Sequence, residues 1–211
     1  MKTITPVRNW VIGTTPEILK NIHQNDVNIT VYNRNTSTLT NEVNKLLKQD
    51  IKLKLSGNVK SIINEIAKAL NPDEYPMLLQ DIEQLLCLFK NITNAGSFRL
   101  LLATINTNMC KRFHSDNNDL RMLCTYSGPG TLWLTEDNIN RQALNTFKNN
   151  TSIVIDEHKI QQAKTGAVVT LKGAKYPKAK TKGAVHRSPT IEASKEKRVL
   201  LRIDNNEFSN F

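Results

Sequence analysis

The clearest chemical signal in the chain is a histidine and an aspartate separated by one residue, His114 and Asp116, in the segment CKRFHSDNNDLRMLC. They lie where a predicted strand gives way to an asparagine-rich loop. Residues i and i+2 of a strand project to the same side, so the imidazole and the carboxylate converge. Together these side chains predict a metal site, but two ligands hold a divalent metal poorly, and a third is needed.

The third ligand must come from elsewhere in the chain, which has four histidines. His23 lies in a predicted N-terminal helix and His158 in a polar loop, whereas His186 lies in the short predicted strand of GAVHRSP. His186 is therefore the best third ligand. Two histidines and one carboxylate form the facial triad of non-haem Fe(II) oxygenases, which leaves metal positions open for a co-substrate and O2. The same donors also suit Mn, Co, Ni or Zn, so they do not fix the metal.

The sequence pattern changes after the first part of the chain. Residues 1–95 are mixed but mainly helical, and the segments 59–70 and 78–89 show the apolar spacing of amphipathic helices. Eight short β-like runs follow, with Gly, Pro, Asn and Asp in most gaps, which is typical of a sandwich or jelly roll. We therefore predict an α+β protein, in which residues 96–211 form a double-stranded β-helix (jelly roll) domain. The N-terminal helical/αβ extension of residues 1–95 packs on one of its sheets.

The final predicted strand, KRVLLRID at residues 197–204, alternates between apolar and basic residues. Its apolar face is predicted to cover the helices, which leaves Arg198 and Arg202 pointing into the roll. A buried arginine requires an anionic partner, and a carboxylate matches its planar fork. The alternative is a strand whose arginine face lies in water.

The order of an HxD motif, a distal histidine and an arginine on the last strand resembles the 2-oxoglutarate- and Fe(II)-dependent dioxygenases, which have the double-stranded β-helix fold. The resemblance covers roughly residues 97–204. It implies that Fe(II) binds His114, Asp116 and His186 and that 2-oxoglutarate chelates the iron as a co-substrate. The chain would then be an oxygenase of the hydroxylation or demethylation type, acting on a substrate that the sequence does not name.

In the resembling dioxygenases, a basic residue after the distal histidine binds the far carboxylate of 2-oxoglutarate. Arg198, twelve positions after His186, is the best match, and Arg202 is the second candidate. Tyr126 lies on the strand after the HxD loop. Its hydroxyl either donates to the co-substrate or is satisfied inside the core.

A longer stretch, RFHSDNNDLRMLCTYSGPGTLWLTEDNINR, and the later VHRSP motif are similar to an uncharacterised bacterial family of unknown function. That family often accompanies metallochaperone GTPases of zinc homeostasis. This similarity keeps a second hypothesis open, a non-catalytic metal-binding or metal-homeostasis protein, for zinc, on the same fold. Cys110 and Cys124 flank the HxD pair and are either zinc ligands or thiols without a function.

Positive charge is concentrated between residues 159 and 202, which contain twelve Lys or Arg and two acidic residues and so carry the whole net charge of +10. The densest part is the lysine-rich loop, KGAKYPKAKTKGAVHR at residues 172–187. It predicts attraction to an anionic substrate, ligand or polymer, or it is a solvated loop. A nucleic-acid- or anion-binding module is therefore a third hypothesis, although only Tyr176 offers a stacking ring within the loop.

Other features bound the class of protein. With 211 residues, 39% of them apolar, the chain suits a folded protein with a substantial core. It shows neither an apolar run of about 18 residues for a membrane helix nor the apolar core of a secretory signal. Three cysteines without a CxxC pair indicate free thiols in a reducing compartment, so we expect a cytoplasmic protein. The sequence leaves the oligomeric state open.

Overall fold

Two β-sheets form the framework of the protein, whose computed structural model describes residues 9–177 and 182–205. The strands are β1 (Trp10–Gly13), β2 (Ile29–Tyr32), β3 (Lys52–Gly57), β4 (Phe98–Ile105), β5 (Leu120–Ser127), β6 (Leu132–Trp133), β7 (Gln161–Gln162), β8 (Val168–Lys172), β9 (His186–Arg187) and β10 (Arg198–Asn205). The large sheet has the order β1-β2-β8-β5-β10-β4-β3, and the small sheet has the order β7-β6-β9. Only the β1–β2 pair is parallel among these pairings.

Helices from the N-terminal region cover one face of the large sheet. The α-helices are α1 (Thr40–Leu46), α2 (Val59–Ala69), α3 (Pro76–Thr93), α4 (Arg141–Asn145) and α5 (Asn150–Ile153). Short 3-10 helices span Pro16–His23, Ser37–Leu39, Glu136–Asn138 and Glu157–Lys159. The Asn58 side chain caps α2 by accepting a hydrogen bond from the Ser61 N–H. α3 has its proline in the first turn and is followed by Asn94 in the left-handed conformation, φ 55°.

The central strand β10 separates two cores. Val199, Leu201 and Ile203 join the core between the large sheet and the helices. On the other face, Leu200 packs in a second core that includes Trp133 of the small sheet. Arg198 and Arg202 lie on the same face as Leu200, where all three line one cavity. The alternation predicted for this strand is confirmed, and it turns both arginines toward the interior between the sheets.

The N-terminal extension contributes strands as well as helices. β1 is one edge strand of the large sheet, with β2 next to it, and β3 is the other edge strand. Residues from the predicted extension therefore complete the sheet that their helices cover. The division into residues 1–95 and 96–211 stays a prediction, and residues 1–8 and 206–211 lie outside the described residues.

The small sheet is shorter than the sequence pattern suggests. The run TLWL yields the two-residue strand β6, and AVHRS yields the two-residue β9. The run CKRFH forms only an isolated bridge at His114. Nearby Gly and Pro residues limit how far these strands extend, and the two sheets do not close into a barrel. Within the described residues, no helix combines the length and apolar character needed to cross a membrane.

Candidate metal centre and co-substrate cavity

A backbone bridge places the two predicted histidine ligands opposite each other. The His114 N–H donates to the His186 carbonyl at 3.0 Å, and the His186 N–H donates to the His114 carbonyl at 2.9 Å. Residues that face each other in an antiparallel pair project their side chains to the same side. The imidazole ring centroids accordingly lie 4.8 Å apart.

Asp116 completes the group by reaching both rings. Its Oδ1 lies 3.5 Å from the His114 Nε2, and its Oδ2 lies 3.2 Å from the His186 Nε2. One ligand atom from each of the three residues lies within 4.8 Å of the other two. Among the described residues this is the one cluster of three or more His, Cys, Asp or Glu side chains with such spacing. The structure thus brings the three predicted ligands together.

The orientation of both rings leaves the Nε2 atoms for a metal. The His114 Nδ1 lies 2.9 Å from the Arg112 carbonyl, and the His186 Nδ1 lies 3.2 Å from the Ala184 carbonyl. A carbonyl oxygen only accepts, so each Nδ1 must carry the hydrogen. In the neutral ring, the lone pair is then on Nε2, the arrangement that metal-binding histidines commonly adopt.

Two residues that the sequence analysis missed hold the aspartate in place. The Arg121 Nη1 donates to Asp116 Oδ2 at 2.5 Å, and the Arg121 Nε donates to Asp204 Oδ1 at 2.6 Å. Arg121 on β5 lies directly opposite Asp204 on β10. Their opposite charges are visible in the sequence, but the two residues are 83 positions apart. The register of β5 against β10 brings them together, so a prediction of that register was the signal needed to find the pair.

The charges in the cluster stabilise one another. The hydrogen bond to Asp116, followed by the one to Cys110, raises the pKa of His114 to about 10. Burial opposes ionisation of Asp116, but hydrogen bonds from His114 and His186 outweigh it and hold its pKa well below the usual value. The hydrogen bond with His114 lowers the pKa of the Cys110 thiol. Asp116 is therefore ionised, and a cation bound at this cluster would replace the proton on the imidazole.

Arg198 lies in the cavity beside the cluster without an acidic partner. It is 1% exposed, and its Nη2 donates to the Thr125 Oγ1 at 3.1 Å. Its Nε has no hydrogen-bond partner, and it forms no ion pair with any of the residues described. Burial lowers its pKa to about 10. Gly128, at φ 80°, allows the chain to pass close by, since a Cβ there would lie 2.7 Å from the Arg198 Cγ.

Arg202 lines the same cavity in a different setting. Its side chain is 36% exposed, and its Nε lies 3.2 Å from the Asp204 Oδ2. Asp204 already accepts from Arg121. Both predicted arginines therefore reach the cavity, but only Arg198 is deeply buried without a carboxylate. The cavity is narrow, with a volume of about 40 Å³.

Tyr126 does not reach this cavity. On β5, Tyr126 alternates with Leu123 and Thr125 and belongs to the core on the helix side of the sheet. Its hydroxyl donates to the Asp81 Oδ2 at 2.6 Å. The expectation that Tyr126 binds the co-substrate is therefore corrected, and its hydroxyl is satisfied inside the core.

The two cysteines near the motif also lie on different sides of the sheet. Cys110 lines the cavity with His114 and His186. Cys124 is buried on the helix side, where its Sγ lies 3.4 Å from the Arg34 Nη2. A zinc site that uses both thiols is therefore excluded, because the large sheet lies between them.

The lysine-rich loop braces the segment that carries Asp116. The Ala174 N–H donates to the Asp116 carbonyl at 2.8 Å, and the Lys175 N–H donates to the Asn118 carbonyl at 2.9 Å. The buried Lys172 lies 4.6 Å from the Tyr176 ring centroid, so Tyr176 is used inside the fold. Residues 178–181 of the loop lie outside the described residues.

The other two histidines lie away from the cluster. His23 contacts the Tyr176 hydroxyl through its Nδ1 and the Ile92 carbonyl through its Nε2. His158 is exposed in a 3-10 helix. These positions agree with the prediction that His186, rather than His23 or His158, is the third ligand.

A family model described as "Protein of unknown function (DUF1826)" matches residues 13–204. The chain belongs to this family. The matched range includes all three members of the histidine–aspartate cluster and both arginines of β10. No curated protein matches the sequence at a significant level. The association with zinc-homeostasis GTPases that the sequence resemblance implies stays a prediction.

The fold is similar to that of dioxygenase for auxin oxidation 1 from Arabidopsis thaliana, solved in complex with 2-oxoglutarate. That similarity has 9% identity and a TM-score of 0.54, and it covers 93% of this chain and 91% of that one. A Pseudomonas putida prolyl-4-hydroxylase has 7% identity, a TM-score of 0.46 and coverage of 90% and 93%. HygX from Streptomyces hygroscopicus, with nickel and 2-oxoglutarate bound, has 9% identity, a TM-score of 0.45 and coverage of 94% and 90%. The predicted jelly-roll fold is confirmed.

Proposed function

We propose that the protein is an Fe(II)- and 2-oxoglutarate-dependent oxygenase of the hydroxylation or demethylation type, whose substrate is not identified. The observation that carries this proposal is Arg198, a buried arginine without an acidic partner that lines the same cavity as His114 and His186. A non-catalytic metal site needs the three ligands but has no use for such an arginine. A site that binds a metal and a dicarboxylate co-substrate needs both the three ligands and the buried arginine.

The donor set fits iron. His114 and His186 offer Nε2 atoms that their Nδ1 hydrogen bonds leave free, and Asp116 offers an ionised carboxylate. Two imidazoles and one carboxylate would hold Fe(II) while leaving positions for other ligands. With 2-oxoglutarate and O2, iron supplies the oxidising power for attack on a substrate C–H bond, and the co-substrate is converted to succinate and CO2.

The residues of the chain would bind and orient the reactants. Arg198 would bind the far carboxylate of 2-oxoglutarate, because its guanidinium is buried and its Nε has no hydrogen-bond partner. Arg121 fixes the Asp116 carboxylate through a hydrogen bond and is itself anchored by Asp204. Leu123 and Leu200 supply apolar wall to the cavity, which limits access of water to the reacting groups.

Energetics support a ligand for Arg198. Burial of an ionised group without a partner is unfavourable, and the lowered pKa of Arg198 reflects this effect. A carboxylate from a ligand would compensate the charge at a site from which most water is excluded, where a charge-assisted hydrogen bond is strong. Such a site favours a dianionic co-substrate over neutral molecules of the same size.

The direct test is an anaerobic titration of the Fe(II)-loaded protein with 2-oxoglutarate, followed through the visible charge-transfer absorption of the chelate. We expect a saturable band in the wild type and in Arg99→Gln, which changes an exposed arginine on β4. His186→Ala should retain its fold by circular dichroism but bind no stoichiometric iron and show no band. Stoichiometric iron in His186→Ala, or no band in the wild type, would refute the proposal.

The second candidate function is a non-catalytic zinc protein of metal homeostasis on the same fold. Cys110 favours it, because the thiol lines the cavity and is hydrogen-bonded to His114. A thiolate would add a ligand that suits zinc. Equilibration with equal amounts of Zn(II) and Fe(II) under anaerobic conditions tests this candidate. Zinc bound in a form that Cys110→Ser weakens strongly, with no response to 2-oxoglutarate, would favour it over the oxygenase.

A further inference from the structure

The two carboxylate oxygens of Asp116 have different partners. Oδ1 lies 3.5 Å from the His114 Nε2, and Oδ2 lies 3.2 Å from the His186 Nε2. In addition, Oδ2 accepts a hydrogen bond from the Arg121 Nη1 at 2.5 Å. Within the described part of the chain, Oδ1 has no arginine or lysine partner. Both oxygens therefore face the imidazole rings, but a guanidinium holds only Oδ2.

This difference affects how a bound metal would use the carboxylate of Asp116. A carboxylate binds a divalent metal through one oxygen or through both. A charge-assisted hydrogen bond fixes Oδ2 and reduces its electron density, so Oδ1 is the stronger donor to a metal. The facial triad leaves positions for a chelating co-substrate and for O2 while each of its residues supplies one atom. A second oxygen from Asp116 would take one of those positions.

We propose that Arg121 is a positioning residue: by holding Oδ2, it limits Asp116 to one metal bond and so preserves the metal position that O2 needs. This inference rests on the proposed function and adds to it a residue that controls access of O2 to the metal. Arg121 would act through Asp116 rather than through contact with a reactant. A guanidinium stays charged in proteins, so this restraint does not depend on a change of protonation.

The contacts of Arg121 divide its nitrogen atoms between two carboxylates. Nε donates to the Asp204 Oδ1 at 2.6 Å and Nη2 donates to the Asp204 Oδ2 at 3.3 Å, which forms a two-point ion pair. Nη1 takes no part in that pair and donates to Asp116 instead. Asp204 therefore compensates the charge of Arg121, and the remaining nitrogen restrains the metal ligand.

Asp204 on β10 fixes the direction of the Arg121 guanidinium. Asp204 is 2% exposed, so water competes little for its hydrogen bonds. Its Oδ1 also accepts from the Asn118 Nδ2 at 3.2 Å, and Asn118 follows Asp116 by two residues in the same loop. β10 thus positions the aspartate of the cluster through Asp204, and the same strand carries Arg198, the arginine proposed to bind the co-substrate.

The test uses the full chain loaded with Fe(II) under anaerobic conditions, with nitric oxide as an unreactive substitute for O2. The chelate band with 2-oxoglutarate is recorded first, because its absence in the wild type would overturn the proposed function and this inference together. Nitric oxide is then titrated into the complex, and the EPR signal of its Fe(II) adduct is measured while the band is monitored.

The variants are Arg121→Met, which cannot donate to Oδ2, and Arg121→Lys, which can. Arg99→Met is the matched control, because Arg99 on β4 also lies opposite Asp204 in the sheet but is exposed. Circular dichroism establishes that each variant is folded. Should Arg121→Met fail to fold, Asp204→Asn takes its place, since it keeps Arg121 and weakens the pair that orients it.

In the wild type and in Arg99→Met, we expect the nitric oxide signal to appear while the chelate band persists. Arg121→Met should retain stoichiometric iron, because the three metal ligands are unchanged. Its affinity for nitric oxide in the 2-oxoglutarate complex should fall by about tenfold or more, since loss of one charge-assisted hydrogen bond frees Oδ2 to bind the metal. Arg121→Lys should recover part of that affinity, and Asp204→Asn should lose part of it.

Two results with an intact chelate band in the wild type would overturn the inference alone. The first is wild-type affinity for nitric oxide in the 2-oxoglutarate complex of Arg121→Met or, if that variant does not fold, of Asp204→Asn. The second is loss of iron from folded Arg121→Met, because Arg121 would then hold the cluster together rather than limit Asp116 to one metal bond.

Discussion

Arg34 and Arg198 are both largely buried, on opposite faces of the large sheet, and they differ in what surrounds the guanidinium. Arg34 forms a two-pronged hydrogen-bonded pair with Asp81, and its Nε donates to the Gly166 carbonyl. Burial disfavours the Arg34 charge, but the hydrogen bonds to Asp81 outweigh it and raise the pKa above the usual value. Arg198 has the single hydrogen bond to Thr125, and burial lowers its pKa to about 10.

This difference separates a structural charge from one that is available to a ligand. The Arg34 network joins the segment after β2 to α3 and, through the Tyr126 hydroxyl on Asp81, to β5. The hydrogen bonds within this network compensate the Arg34 charge without a ligand. Arg198 lies in a cavity with His114 and His186, two of the candidate metal ligands, and its Nε has no hydrogen-bond partner.

The largest effect on stability is expected from Asp81→Ala. This change leaves the buried Arg34 charge uncompensated and should lower the free energy of unfolding by about 3–5 kcal/mol. Urea denaturation of the ligand-free protein measures the change. Because Asp81 lies on the helix side of the sheet, the folded fraction should still bind iron stoichiometrically. A loss below about 1 kcal/mol would place Arg34 in the same class as Arg198.

Arg198→Met should affect ligand binding rather than the stability of the fold. It removes a buried charge with no internal carboxylate, so the free energy of unfolding without ligands should stay level or rise by about 1 kcal/mol. Binding of 2-oxoglutarate to the iron-loaded variant should be lost, as measured by calorimetry. A decrease in unfolding free energy of about 2 kcal/mol or more would mean that Arg198 has a structural role.

Tyr126→Phe should have the smallest effect. It removes the hydroxyl that donates to Asp81 and should lower the unfolding free energy by about 1 kcal/mol. Affinity for 2-oxoglutarate should match the wild type, because Tyr126 faces away from the cavity. Weaker 2-oxoglutarate binding with unchanged iron content would return Tyr126 to the co-substrate site.

Local sequence patterns predicted much of the geometry of the candidate metal centre. The spacing of His114 and Asp116 indicates a shared side, and β10 alternates as its residues imply. His186 was identifiable as the third ligand because it stands in a short β-like run after a glycine. Each of these inferences depends on residues that are close in the chain, where side-chain direction follows from strand geometry.

Long-range pairing accounts for what the sequence left undetermined. Strand alternation does not predict whether Tyr126 and Asp116 lie on the same face of the sheet, because an irregular loop joins Asp116 to β5. The partnership of Arg121 with Asp204 depends on the register of β5 against β10. The positions of β1, β2 and β3 in the large sheet likewise depend on non-local pairing, which hydrophobic periodicity does not specify.

The most direct test of the central claim is the affinity of the Fe(II)-loaded protein for 2-oxoglutarate, measured anaerobically by calorimetry in the wild type, Arg198→Gln and Arg202→Gln. If Arg198 binds the far carboxylate, Arg198→Gln should lose about 2 kcal/mol or more, roughly 30-fold in the dissociation constant. Iron content should be unchanged, and Arg202→Gln should lose far less affinity. Equal affinity in the wild type and Arg198→Gln would contradict the account.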